Sequence, residues 1–233
     1  MSAALMGASA PASAQTKAAK PLKIVVYGGS GAIGSRIVNE AAARGHQVTV
    51  VDRSPKPELA PQGVRVVQGD ALDAQDIGKN IVGQDAVISS VIVRPAPTAD
   101  FSLKIAQAMV AAQRAQQGAN KTRFLMVGGA SSLFDAQGKR LIDNARQPVA
   151  FEVSGAVAAL DWLLTVKDVP WTFFSPPQRI SAGTRTGKYR RGGDQLVVDD
   201  QGRSAISMED YAVAMIDEIE NPQSVNKRFT AAY

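Results

Sequence analysis

The stretch "VVYGGSGAIGSR", Val25 to Arg36, decides the fold. An apolar run ends in it, a helix-forming run begins in it, and four glycines (Gly28, Gly29, Gly31 and Gly34) crowd the seven residues between. Glycine inside a strand or helix costs stability because it gives up the most backbone freedom on folding, so this density calls for a backbone reason. The spacing supplies one. Gly28, Gly31 and Gly34 stand in G-x-x-G-x-x-G order. At a strand-to-helix turn, that order lets the bare backbone pass close to a pyrophosphate while the helix N-terminus aims free N–H groups at its charge. Ser30, Ala32 and Ile33 complete the cradle, and Gly34 lets helix and strand pack in contact.

Outward from this turn, short β-branched runs alternate with helical stretches. "KIVVYG" (23–28), "QVTVVD" (47–52), "VRVVQGD" (64–70), "AVISSV" (86–91), "RFLMVGG" (123–129) and "PWTFFSP" (170–176) read as strands. Helices are expected over 32–45, 100–117, 151–166 and 207–222, the last with Ser207 as N-cap and Asp210 three residues on. Strand and helix taking turns call for an α/β, doubly wound parallel sheet with helices on both faces. After residue 176 the alternation fades into a glycine- and arginine-rich segment, read as a small C-terminal, substrate-side piece over the carboxyl edge of the sheet. Residues 22–233 are expected to form a single dinucleotide-binding domain.

The totals exclude several classes. With 233 residues and 45% hydrophobic content the chain can bury one good core, and no apolar stretch reaches membrane-spanning length, so no membrane partner is expected. Having no cysteine, it has no disulfide, thiol nucleophile or thiolate metal site; the single histidine, His46, reads as a surface turn residue, and no metal site is expected. The charge of +5 is modest. Its one cluster, Arg185, Lys188, Arg190 and Arg191, reads either as a solvated loop or as one facing an anion, and without a recognition helix beside it no nucleic acid is expected. Residues 1–21 read as a flexible tail, which makes the protein cytoplasmic. The "ASAQ" within them also fits the end of an export signal cut after Ala14, which would make it periplasmic.

Asp52 ends the second strand, twenty-four residues after Gly28, where a carboxylate accepts the ribose hydroxyls and favours NAD. Arg53 beside it favours NADP, by pairing with a 2′-phosphate. Asp70 and Ala71, after the third strand, can take the adenine, or Asp70 or Asp73 can cap a helix.

Together "YGGSGAIGSRIV", "QGDALD", "LMVGGASSL", "WTFFSPP", "RTGKYRRGGDQLVVD" and "ISMEDYAVAMIDEIENP" resemble the atypical short-chain dehydrogenase/reductases of the NADH-flavin reductase type, related to NmrA-like proteins. The resemblance covers nearly all of Lys23 to Tyr233. It implies a Rossmann-like domain that binds NADP or NAD and passes hydride to a flavin, quinone or similar planar acceptor, with oligomers possible. It equally admits an NmrA-like redox sensor that binds the cofactor without turnover. The family's second strand ends in "VRNP", which Arg53 matches and Asp52 does not. The Tyr-x-x-x-Lys proton donor of conventional members is missing: none of Tyr27, Tyr189, Tyr211 and Tyr233 has a lysine four residues on. Sheet geometry then places the rest of the site at the strand ends, with Ser89, Ser90 and Val91 after the fourth, Gly129 and Ser131 after the fifth, and Ser175, Pro176 and Pro177 after the sixth. Ser131 is the candidate catalytic residue, through the nicotinamide ribose or an acceptor carbonyl. Phe173 and Phe174 read as core, and Tyr189 as an aromatic able to cover a flat acceptor.

Overall fold

Lys23–Tyr27 forms β1, and its pleat sends Ile24 and Val26 to one face of a sheet and Val25 and Tyr27 to the other. Both faces are apolar, so both must be covered. The structure, a computed structural model, describes residues 20–118, 120–144 and 149–233. The expected tail lies outside the described residues as far as residue 19.

The chain continues through α1 (Ala32–Ala43), β2 (Gln47–Asp52), β3 (Arg65–Gln68), α2 (Ala74–Ile81), β4 (Ala86–Ser89), α3 (Phe101–Ala115), β5 (Arg123–Val127), α4 (Phe151–Leu163) and β6 (Trp171–Ser175). Three short strands follow, β7 (Arg179–Ser181), β8 (Arg190–Gly192) and β9 (Ala205–Ser207), then α5 (Met208–Glu220) and β10 (Lys227–Ala232). The main sheet runs β3-β2-β1-β4-β5-β6-β10-β8, parallel but for β8, while β7 and β9 pair separately. Residues of α2, α3 and α4 pack on one face and those of α1 and α5 on the other, which is the doubly wound arrangement expected.

Helix α2 and strand β10 were hidden in the sequence. Helix α2 is short, with only Ile77 and Ile81 buried, and it is Asp73 that caps it, accepting from the N–H groups of Gln75 and Asp76. The C-terminal piece holds more than a loop over the carboxyl edge: β10 is a seventh parallel strand, buried along Arg228 to Ala232. Its Phe229 stacks on Phe174 at 4.0 Å, and Phe174 stacks on Tyr211 at 3.8 Å, so both aromatics expected as core at the end of β6 are fully buried. Ser207 accepts from the N–H of Asp210, as its N-cap position requires.

His46 is corrected from surface turn to buried side chain, 7% exposed: Nδ1 accepts from the Leu22 N–H at 3.2 Å and Nε2 lies 3.0 Å from Glu220. The basic loop is likewise tied inward. Arg185 forks onto Glu40 at 2.7 and 2.8 Å, and Arg191 pairs with Glu218 while lying over the Phe229 ring.

Glu218, on α5, is fully buried. It accepts from Arg123, Arg191 and the N–H groups of Gln223 and Ser224, and Arg123 donates further to Thr172 and to the Glu218 carbonyl. Burial pushes the Arg123 guanidinium below its usual range, against the pull of Glu218. This node pins β5, β6, β8 and α5 around β10. Removing one partner of a buried pair leaves an uncompensated charge, so Glu218→Ala is expected to lower stability by about 3–5 kcal/mol, read as a shift in the urea unfolding midpoint.

Candidate active site

Strand β1 feeds α1 on one face and β4 leads to α3 on the other, so the two crossovers part between adjacent strands and leave a crevice at their carboxyl ends. The glycine turn lies there. Gly28 has φ +76°, open to glycine at little cost, and a Cβ on it would stand 2.8 Å from the Ser90 carbonyl oxygen. A Cβ on Gly34 would come within 2.1 Å of the Gly28 oxygen. The turn is therefore as tight as backbone contact allows.

A cavity of 170 Å³ opens above it, lined among others by Gly28, Ser30, Gly31, Asp52, Arg53, Asp70, Ala71, Ser90 and Val91. Gly31, the N-cap of α1, offers no side-chain cap, so the first-turn N–H groups of Ala32 and Ile33 are left for an external acceptor. The Ser90 hydroxyl is buried, the residue being 5% exposed, and has no hydrogen-bond partner. An orphaned hydroxyl, a side-chain-free turn and an uncapped helix end fit a nicotinamide dinucleotide. Gly28, Gly31, Ala32 and Ile33 would hold its pyrophosphate, and Asp70 and Ala71 its adenine. Behind Asp52 a second cavity, of 220 Å³, adds Ser35, Asn39 and Lys56.

The Asp52 carboxylate spans the two, accepting from the Ser30 N–H at 3.1 Å. Asp70 accepts from the Leu72 N–H at 3.0 Å, closing its own turn and not capping a helix. That turn is held from behind by Asp76, whose Oδ2 accepts from the Asp70 N–H at 3.0 Å and lies 2.4 Å from where a Cβ on Gly69 would be. Asn80 donates to the Tyr27 hydroxyl at 3.1 Å, beside Asp76, and burial pushes the Tyr27 phenol well above its usual range. No local motif singles out Asp76; only the turn it meets in space does.

A third cavity, of 210 Å³, shares Val91, Ile92 and Phe101 with the first. Gly129, Ser131, Pro176 and Pro177 line it, together with Ile33, Arg94, Glu152, Ala156 and Gln178. Ala32 and Gly34 line neither space, and two residues expected at the strand ends do not reach either. Ser89 is buried within β4, one pleat away from Ser90. Ser175 is fully buried, 2.9 Å from the Ser132 hydroxyl, which also donates to the Gly129 carbonyl at 2.7 Å. Tyr189 is corrected too. Burial and its 2.6 Å hydrogen bond to Asp217 raise its pKa, and it packs beside α5, away from both cavities. Among the described residues there is no group of acidic or histidine side chains able to hold a metal, and no helix is long and apolar enough to cross a membrane.

A doubly wound sheet with a glycine turn at its switch point defines a Rossmann-type nucleotide-binding protein. The family described as NAD(P)H-binding matches residues 28–222, and the chain belongs to it. Three solved structures are similar over nearly the whole chain. A proposed exported protein from Burkholderia pseudomallei is 41% identical, covering 91% of this chain and 100% of its own, with a TM-score of 0.77. A proposed epimerase from Bacteroides thetaiotaomicron is 38% identical, covering 92% and 98%, with 0.81. A proposed NADH-flavin reductase from Streptococcus pneumoniae is 31% identical, covering 91% and 99%, with 0.76. The chain is thus an NAD(P)H-binding protein of Rossmann type.

If Asp76 positions the adenine turn, Asp76→Ala is expected to weaken binding of AMP roughly ten-fold, the worth of one charge-assisted hydrogen bond. Nicotinamide mononucleotide, which does not reach that turn, should bind unchanged; calorimetric titration of both fragments checks it.

Proposed function

We propose that this protein, with residues 22–233 acting as one domain, is an NAD(P)H-dependent reductase of a planar acceptor, a flavin or quinone. The observation that carries this is the junction of the nucleotide cavity with the acceptor cavity across Val91, Ile92 and Phe101. It gives a flat ligand an apolar seat beside the dinucleotide. The acceptor gains a hydride from the reduced nicotinamide and a proton from solvent, leaving oxidised nicotinamide and the dihydro acceptor. The reduced cofactor supplies the electrons; the protein's own part is stacking, distance and exclusion of water. The kinship with the Streptococcus pneumoniae protein supports the same reading. Such turnover suits the cytoplasm, where reduced nicotinamide is regenerated.

Within this reading Ser131, on the wall of the acceptor cavity, hydrogen-bonds the nicotinamide ribose or the acceptor. Asp52 and Arg53 pull cofactor choice in opposite directions. The carboxylate accepts ribose hydroxyls and repels a 2′-phosphate, whereas Arg53, helped by Lys56 behind Asp52, attracts one. Asp52→Ala should move kcat/KM toward NADPH about ten-fold, and Arg53→Ala toward NADH by a similar factor, both read from steady-state rates with each cofactor.

The reading is tested by NADH and NADPH oxidation at 340 nm, run anaerobically with excess FMN or menadione. Saturable turnover is expected. Tight cofactor binding without turnover on any acceptor would replace the reductase with the redox sensor. Gly31→Asp sets a charge and bulk against the pyrophosphate, while its φ of −71° and N-cap position suit aspartate. This variant should stay folded by thermal denaturation and lose cofactor binding; wild-type affinity would refute the placement of the site.

A further inference from the structure

Glu152 is the one carboxylate among the described residues lining the acceptor cavity. It stands in the first turn of α4. The rest of the lining is largely apolar, Val91, Val127, Ala156 and Pro176 among it, with Ser102, Ser131 and Gln178 as its uncharged polar members. Among the described residues its single hydrogen bond is a long one, from the Ala96 N–H to Oε2 at 3.5 Å, the limit of such contacts. Arg94 lines the same cavity, exposed at its mouth, and no ion pair joins the two. A carboxylate has about four lone-pair sites, so this half-buried one keeps most of its accepting capacity unmet.

We propose that Glu152 is a specificity-determining residue that selects acceptors presenting an N–H or O–H donor, such as the imide edge of an isoalloxazine, over planar acceptors that present carbonyls alone. This rests on the reductase reading above and narrows it from flavin or quinone to flavin-like. A ligand donor gives the carboxylate a short, charge-assisted bond. A ligand without one seals it against an apolar surface with nothing in place of the water it loses, which costs affinity. Discrimination of this kind comes from the unpaired group left behind, so a small change on the ligand suffices to reveal it.

The probe pair is lumiflavin and its N3-methyl analogue, in which a methyl group replaces the imide hydrogen and removes the donor. Their fluorescence is titrated with the protein saturated with NADP⁺ or NAD⁺, whichever binds it more tightly, and oxidation of NADPH and of NADH is followed with each in parallel. Wild type is expected to bind lumiflavin at least about ten-fold more tightly than the methylated flavin. Glu152→Ala should bring that ratio close to one. Glu152→Gln, whose amide oxygen still accepts, should keep part of it, and affinity for the dinucleotide should be unchanged in both variants. Equal binding of the two flavins by wild type, or a preference that survives in Glu152→Ala, overturns the proposal. A preference without oxidation of either NADH or NADPH upholds the subsite and removes the reductase. Binding of neither flavin removes both.

Discussion

Gly34 lies so close beneath the carbonyl of Gly28 that a single added carbon would stand 2.1 Å from its oxygen, and Gly28 itself presses against the carbonyl of Ser90 on the neighbouring strand. Three backbone segments, the end of β1, the start of α1 and the end of β4, thus meet with no side chain between them. Everything that makes the crevice useful follows from this approach. It brings the uncapped end of α1 to the carboxyl edge of the sheet, turns the Ser90 hydroxyl into a space where nothing satisfies it, and sets Ser30 where its N–H reaches Asp52. A side chain at any of these glycines would part helix from strand and open the turn that the nucleotide must close against.

That turn was legible because it is local. Strand, glycines and helix succeed one another within a dozen residues, and β-branched runs buried on both faces announce the remaining parallel strands. Elements with mixed signals were harder. "AQDIGKNI" holds α2 with two buried isoleucines and a glycine inside. "KRFTAA" makes β10 from small residues behind two charges, a strand stabilised by stacking on Phe174 and by the Glu218 node, neither of which is a property of the segment itself. His46 was misread for the same reason: its partners Leu22 and Glu220 are far from it in sequence.

The site divides in the same way. Pleat parity decides whether a residue at a strand end faces the crevice or the sheet, and one step separates buried Ser89 from cavity-lining Ser90. Ser175 fell on the wrong side of that alternation and found Ser132 instead. The third cavity draws on Ile33 and on loops, strand ends and helix starts from residue 91 to residue 180, so no short motif contains it. Glu152 and Gln178 enter it only because α4 and the segment before β7 are folded over the same strand ends.

The character of α4 also bears on the chemistry. Reducing an isolated carbonyl places a full charge on one oxygen that must be protonated as it forms, the task a Tyr-x-x-x-Lys pair would perform. Here Glu152, Val153 and Ala156 are what α4 presents to the cavity. A conjugated planar acceptor spreads the incoming electron pair over its ring, so protonation can follow from solvent through the open mouth beside Arg94. On the reading proposed above, a cleft that supplies apolar walls, a bound dinucleotide and the Glu152 carboxylate as acceptor is then sufficient, and the same features would serve an isolated carbonyl poorly.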